Sequence, residues 1–155
     1  MIYSQDIIYL FVFLFGSCVG SFLNVVSIRL PKNNSFILPR SHCKNCKKNL
    51  NIMDLVPILS WIFLNGKCRY CNKKISLRYP AVELITAFVF ISCLGSNGFI
   101  NRGSFTLLDL LAGWILMSFL IVLTIIDIDE MILPNSLTFF GAFLGLFLVI
   151  IKNLV

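Results

Sequence analysis

Four runs of apolar residues divide the chain. Ile7 to Ile28 contains no charged side chain and stops at Arg29. Pro80 to Leu94 is shorter and carries Glu83 near its start. Leu107 to Ile126 has Asp109 at one end and Asp127, Asp129 and Glu130 directly after the other. Ser136 to Ile151 follows Pro134 and Asn135, a proline-plus-polar break that suits a helix start. A membrane-spanning helix needs roughly 20 apolar residues, because a rise of about 1.5 Å per residue must cross about 30 Å of hydrocarbon. The pattern predicts an all-α integral membrane protein with about four transmembrane helices. Residues 1–28 form the first helix, 29–79 a loop, and 80–155 three further helices. The first run does not read as a cleavable signal peptide: no Lys or Arg precedes it, and it exceeds an h-region of about 7–15 residues.

Composition supports this reading. With 58% hydrophobic and 13% charged residues, and a mean hydropathy of +0.90, the chain is too apolar for a soluble domain of its size. Charge adds an orientation. Of 13 Lys and Arg residues, 11 lie between Arg29 and Arg78, where Asp54 is the sole acid. The positive-inside rule makes this loop cytoplasmic, puts the N-terminus and the Gly95 to Thr106 connection outside, and returns the acidic cluster to the cytoplasmic face. The same basic residues would also be attracted to anionic lipid headgroups. Nucleic-acid binding needs aromatics placed for base stacking, and Tyr70 alone is too little, so no nucleic-acid partner is expected.

The basic loop contains two Cys-x-x-Cys pairs, Cys43/Cys46 and Cys68/Cys71, separated by 21 residues. Two intervening residues let both thiolates of one turn reach a single ion, and the separation is close to that of a four-cysteine zinc site. Lys44, Lys47, Lys48, Lys67 and Arg69 would offset the thiolate charge, and Gly66 would ease the turn into the second pair. Disulfides would require an oxidising compartment, against the orientation just derived. The expected cofactor is structural Zn²⁺. Cys18 and Cys93, inside apolar runs, are expected to pack as small hydrophobes, and His42 to be a loop residue. Between the pairs, Leu55 to Leu64 is too short to span. It is expected to pack under the knuckles or to lie in the membrane interface, with Trp61 at headgroup depth.

The acids after the third run are functional candidates, since a carboxyl at the end of an apolar span is partly desolvated. Aspartate-pair chemistry would use one ionised carboxyl to take a proton from water and one protonated carboxyl to polarise a carbonyl. Asp127 has no evident partner for this. Asp129, two residues on, points to another helix face. Glu130, three residues on, leaves no cleft between the carboxyls. Asp109 lies 18 residues away, roughly 27 Å along one helix at about 1.5 Å per residue. Asp129 and Glu130 are expected to be solvated boundary charges.

Several segments in order carry a family resemblance: "GSFLNVVSIRLP" (Gly20 to Pro31), the paired cysteines, "PILSW" (Pro57 to Trp61), "ISLRYPAVELITA" (Ile75 to Ala87) and "IDIDEMILPNSLT" (Ile126 to Thr138). Together they resemble the successive signatures of type IV prepilin peptidases, polytopic aspartic proteases of the bacterial inner (plasma) membrane. The resemblance implies cleavage of the basic leader from type IV prepilin or pseudopilin proteins at the cytoplasmic face. In bifunctional members, the new N-terminus is then methylated with S-adenosylmethionine. The first catalytic aspartate of that family stands seven residues before the proline of a D-x(6)-P pattern. That spacing selects Asp127, with Asp129 the weaker candidate.

The family's second catalytic aspartate lies in a Gly-x-Gly-Asp motif, which residues 1–155 do not contain. Three explanations follow. A second polypeptide could supply that aspartate; the sequence could be a truncated gene product; or it could be a non-catalytic relative acting as a membrane-anchored zinc-binding interaction module.

Overall fold

The computed structural model describes residues 2–35, 37–94, 107–131 and 134–154. The expected connection Gly95 to Thr106 lies outside the described residues. The described residues are helical, with no strand beyond two isolated bridges. Four longer helices, α1 (Ile2–Arg29), α3 (Arg78–Leu94), α4 (Leu107–Glu130) and α5 (Asn135–Leu154), follow the four apolar runs. A one-turn helix, α2 (Leu59–Phe63), interrupts the long loop. Two helices, α1 and α4, are long and apolar enough to cross a membrane; the apolar part of α5, Leu137–Ile151, is shorter.

The sequence explains where these helices stop. After Arg29 the chain tightens into a 3₁₀ turn, Leu30–Lys32, carrying Pro31, and ends in the left-handed region at Asn33 (φ +53°). The Arg29 guanidinium donates to the carbonyls of Ser35 (2.9 Å) and Pro39 (2.6 Å), folding the chain back against the helix end. At the other boundary, Pro134 lacks a donor but offers a carbonyl that accepts the Leu137 (3.1 Å) and Thr138 (3.2 Å) amides, which starts α5. The third apolar run continues to Glu130, so all three acids sit in the last turn of α4.

The closest crossing is between α1 and α3, and it depends on two glycines one turn apart. A Cβ on Gly16 would stand 2.8 Å from the Ala87 Cα, and one on Gly20 would stand 2.8 Å from the Glu83 Cα. This small-xxx-small spacing lets two backbones touch, the arrangement that holds helices together in lipid, where the hydrophobic effect between them is absent. Thr86 and Ala87 are accordingly fully buried. α4 closes over this pair through Leu23, Val26, Val122 and Ile126, and Trp114 stacks on Phe90 at 5.1 Å while donating its indole N–H to the Phe90 carbonyl (3.1 Å). α5 packs on α4, with Phe119 and Phe140 rings 5.9 Å apart.

One expectation about packing is corrected. Cys93 is buried as expected, but Cys18 is exposed on the surface of α1. Within Leu55 to Leu64, Trp61 does pack inward: its ring covers Gly66, whose backbone takes φ +64°, and its Nε1 donates to the Ile75 carbonyl (3.3 Å). Leu59, Ile62 and Phe63, at i, i+3 and i+4, face outward instead.

Candidate functional site

The first cluster is the cysteine pair of pairs. Each pair folds as the same tight turn. Lys47 donates its backbone N–H to the Cys43 carbonyl and Asn72 its own to the Cys68 carbonyl, both at 2.9 Å; the Cys43 and Cys68 amides reach on to Lys48 (3.0 Å) and Lys73 (2.9 Å). Lys47 and Asn72, each directly after the second cysteine, take the left-handed conformation (φ +57° and +54°). Short antiparallel bridges, His42 with Asn49 and Lys67 with Lys74, close the two turns. The two turns are held face to face by Asp54, which accepts the Asn51 amide (3.2 Å) and the Arg69 Nε (2.7 Å), and by Lys48 over the Tyr70 ring.

All four sulfurs therefore lie within 4.8 Å of one another, with Cys43 and Cys71 Sγ atoms 3.8 Å apart. A tetrahedron with metal–sulfur bonds of about 2.3 Å has edges of about 3.8 Å, whereas a disulfide would need about 2.05 Å. The donor set fits Zn²⁺: four soft thiols, no open position, and surrounding lysines. Local donors prepare these thiols unequally. The Lys73 backbone N–H, together with the Asn45 amide and neighbouring thiols, brings Cys71 down to about 6. The Cys46 and Asn45 backbone N–H groups lower Cys43. Cys46 receives the Lys48 N–H, but desolvation and the other thiols outweigh it and raise it to about 11. His42 turns its ring to the Arg40 carbonyl (3.1 Å), consistent with a loop role.

The second cluster lies where the ends of α1, α3 and α4 meet. Arg78, at the start of α3, donates through Nη2 to Ser27 Oγ (3.0 Å), and Nη1 forms an ion pair with Asp129. Ser27 Oγ in turn donates to the Asn24 carbonyl (2.9 Å), and Asn24, only 2% exposed, donates to the Tyr79 carbonyl (3.2 Å). Asp129 is thus no solvated boundary charge; it is the acid of a network that joins three helices. Sequence reasoning missed this network, because Arg78 counted only as one of the loop's many cations. Its partner lies 51 residues further on, and only the helix arrangement brings them together.

Asp127 is placed differently. It is exposed in the last turn of α4 and takes no side-chain partner among the described residues. Asp129 stands three residues after Ile126 and seven after Val122, on the stripe packed against α1. Asp127 lies about 160° round the helix from Asp129, on the stripe of exposed Thr124 and Leu120. Asp109 is buried at the opposite end of α4.

Residues 14–96 match the bacterial peptidase A24 N-terminal domain, and residues 114–155 match the type IV leader peptidase family. The chain belongs to the type IV prepilin peptidase family. Among curated relatives, a prepilin leader peptidase/N-methyltransferase of Myxococcus xanthus is 42% identical over 88% of this chain and 38% of its own length. One of Bacillus subtilis with the same name is 40% identical over 86% of this chain and 51% of its own length. A type 4 prepilin-like proteins leader peptide-processing enzyme of Escherichia coli is 38% identical over 79% of this chain and 50% of its own length. The chain therefore spans about half, or less, of the length of these prepilin peptidase relatives. No solved structure matches it. Family membership and the two long apolar helices place the chain in a membrane.

Proposed function

We propose that this chain is the portion of a membrane aspartic peptidase that carries its first catalytic carboxylate, Asp127, together with a structural zinc module. The enzyme removes the basic leader from type IV prepilin-like proteins at the cytoplasmic face. One observation carries this reading: the two aspartates at the end of α4 differ in setting, Asp129 being tied to Arg78 while Asp127 is exposed and has no side-chain partner among the described residues. An aspartate dyad needs a carboxyl free to share one proton with a second carboxyl, activating water with one group and polarising the scissile carbonyl with the other. A carboxylate already engaged by a guanidinium is not available for that exchange. Asp127 is free for it. The second carboxyl comes from outside residues 1–155, on further sequence or on a separate polypeptide bearing a Gly-x-Gly-Asp helix.

Topology supports the same reading. α1, α3, α4 and α5 each cross the bilayer, and the 11 basic residues from Arg29 to Arg78 set the loop in the cytoplasm. The Arg78–Asp129 pair joins the start of α3 to the end of α4, so the zinc loop and Asp127 lie on one face. Cys43, Cys46, Cys68 and Cys71 would hold Zn²⁺ as a closed tetrahedral site that orders the loop and takes no part in chemistry. N-methylation would draw on S-adenosylmethionine. Two cavities among the described residues, lined by apolar side chains, Cys18 and serines, offer no carboxylate for its ribose or its cationic groups, so they do not fit it.

The test is co-expression of this chain with a Gly-x-Gly-Asp membrane protein and a prepilin substrate. Leader cleavage is expected from the pair and not from either alone, and Asp127→Asn should abolish it. Cleavage that persists with Asp127→Asn refutes the assignment.

A further inference from the structure

Residues 52–64 should be the most exposed part of a water-facing loop, yet their contacts lie below the charged ends of the helices. The Ile58 backbone N–H donates to Glu83 Oε2 at 2.7 Å. Glu83 is five residues into α3 from Arg78, about 7 Å along the helix axis. Leu55 and Pro57 wall a cavity of about 270 Å³ with Cys18, Ser21, Phe22 and Val25 of α1. Those four stand 4 to 11 residues before Arg29, about 6–16 Å along that helix. Both measures put the segment beneath the level of Arg29 and Arg78. On its outer side, Phe63 is 80% exposed, Ile52 81% and Met53 73%, with Leu59 and Ile62 continuing the same apolar surface.

We propose that residues 52–64 form a membrane-embedded interfacial segment whose partner is the cytoplasmic lipid leaflet, with Ile52, Met53, Ile62 and Phe63 in contact with acyl chains. The segment is too short to span, so it enters and leaves on one face. Part of the segment's backbone is bonded at this depth: the Ser60, Ile62 and Leu64 amides are satisfied within the turn (3.0–3.1 Å), and the Ile58 amide reaches outside it to Glu83. In hydrocarbon an orphan amide is costly, and Glu83 is the acceptor that removes it. Ile58 itself is held at φ +62°, a conformation a β-branched residue rarely adopts, at the turn that aims α2. Lys67, Arg69, Lys73 and Lys74 follow directly after the segment and complement anionic headgroups. The inference rests on α1 spanning the membrane and is independent of which aspartate is catalytic.

The experiment places the photoreactive residue p-benzoylphenylalanine at position 53, 63 or, as a control, 44 of the full chain in phosphatidylethanolamine/phosphatidylglycerol vesicles. Illumination is expected to give several-fold more acyl-chain adduct at 53 and 63 than at 44. Equal adduct at all three positions, or protein–protein adducts replacing lipid at 53 and 63, overturns the proposal. A second measurement leaves the segment unaltered. In Trp114→Phe, Trp61 is the remaining tryptophan, and its emission should be quenched more by phospholipid brominated near the headgroup than near the chain end. Emission that neither lipid quenches overturns it as well.

Discussion

Replacing Gly20 by alanine adds one methyl group at the tightest point of the α1–α3 crossing. The new Cβ would lie 2.8 Å from the Glu83 Cα and 3.0 Å from both Cβ and Oγ1 of Thr86. Carbon atoms in contact prefer about 3.5–4.0 Å, so the helices must separate by roughly 0.7–1.2 Å. No rotamer change relieves this, because the obstacle is backbone. Gly16→Ala meets the same situation at the Ala87 Cα, 2.8 Å away. Overpacking of this kind costs about 1–3 kcal/mol, which exceeds the gain of about 1 kcal/mol from replacing glycine in a helix interior. Gly145→Ala provides the opposite sign: nothing lies within 4 Å of its Cβ position, so only the propensity gain remains. Denaturant titration in micelles, read by Trp fluorescence, compares the three. Destabilisation is expected for positions 16 and 20 and slight stabilisation for 145. If Gly16→Ala and Gly20→Ala both unfold at the wild-type midpoint, the close crossing is refuted.

Further outcomes follow from the same contacts. In a double-mutant cycle of Arg78→Ala with Asp129→Ala, thermal unfolding should give a coupling of about 0.5–2 kcal/mol, since the pair is two-thirds buried; additive effects would show that it contributes nothing. Glu83→Ala leaves the Ile58 amide without its acceptor and should cost about 1–3 kcal/mol, whereas Glu83→Gln, which keeps an acceptor oxygen, should cost less; equal losses would contradict the assigned bond. Purified protein should contain one zinc per chain by elemental analysis, and Cys68→Ser, at the most buried ligand, should release it and raise proteolysis between residues 40 and 75.

The sequence shows some of this directly and conceals the rest for identifiable reasons. Apolar run length is a one-dimensional signal, so α1 and α4 appear where hydropathy puts them. The cysteine cluster is equally legible, because each turn is local and the two Cys-x-x-Cys pairs mark both turns in the sequence. Gly16 and Gly20 were visible as letters, but their meaning depends on α3 lying against them. The Arg78–Asp129 pair and the Glu83–Ile58 bond join residues 51 and 25 positions apart, and no periodicity encodes such contacts. The expectation that Asp129 is merely solvated failed for this reason. Three acids at a helix C-terminus oppose the helix dipole, and Arg78 supplies the compensation that the local sequence lacks.

The central claim is that Asp127 acts and Asp129 positions. Leader-cleavage rates of Asp127→Asn and Asp129→Asn, measured side by side in membranes containing the complete peptidase, test it most directly. A loss on the order of a thousandfold or more is expected for Asp127→Asn and a loss within about tenfold for Asp129→Asn. Substantial cleavage by Asp127→Asn, or an equally complete loss with Asp129→Asn, would contradict the account.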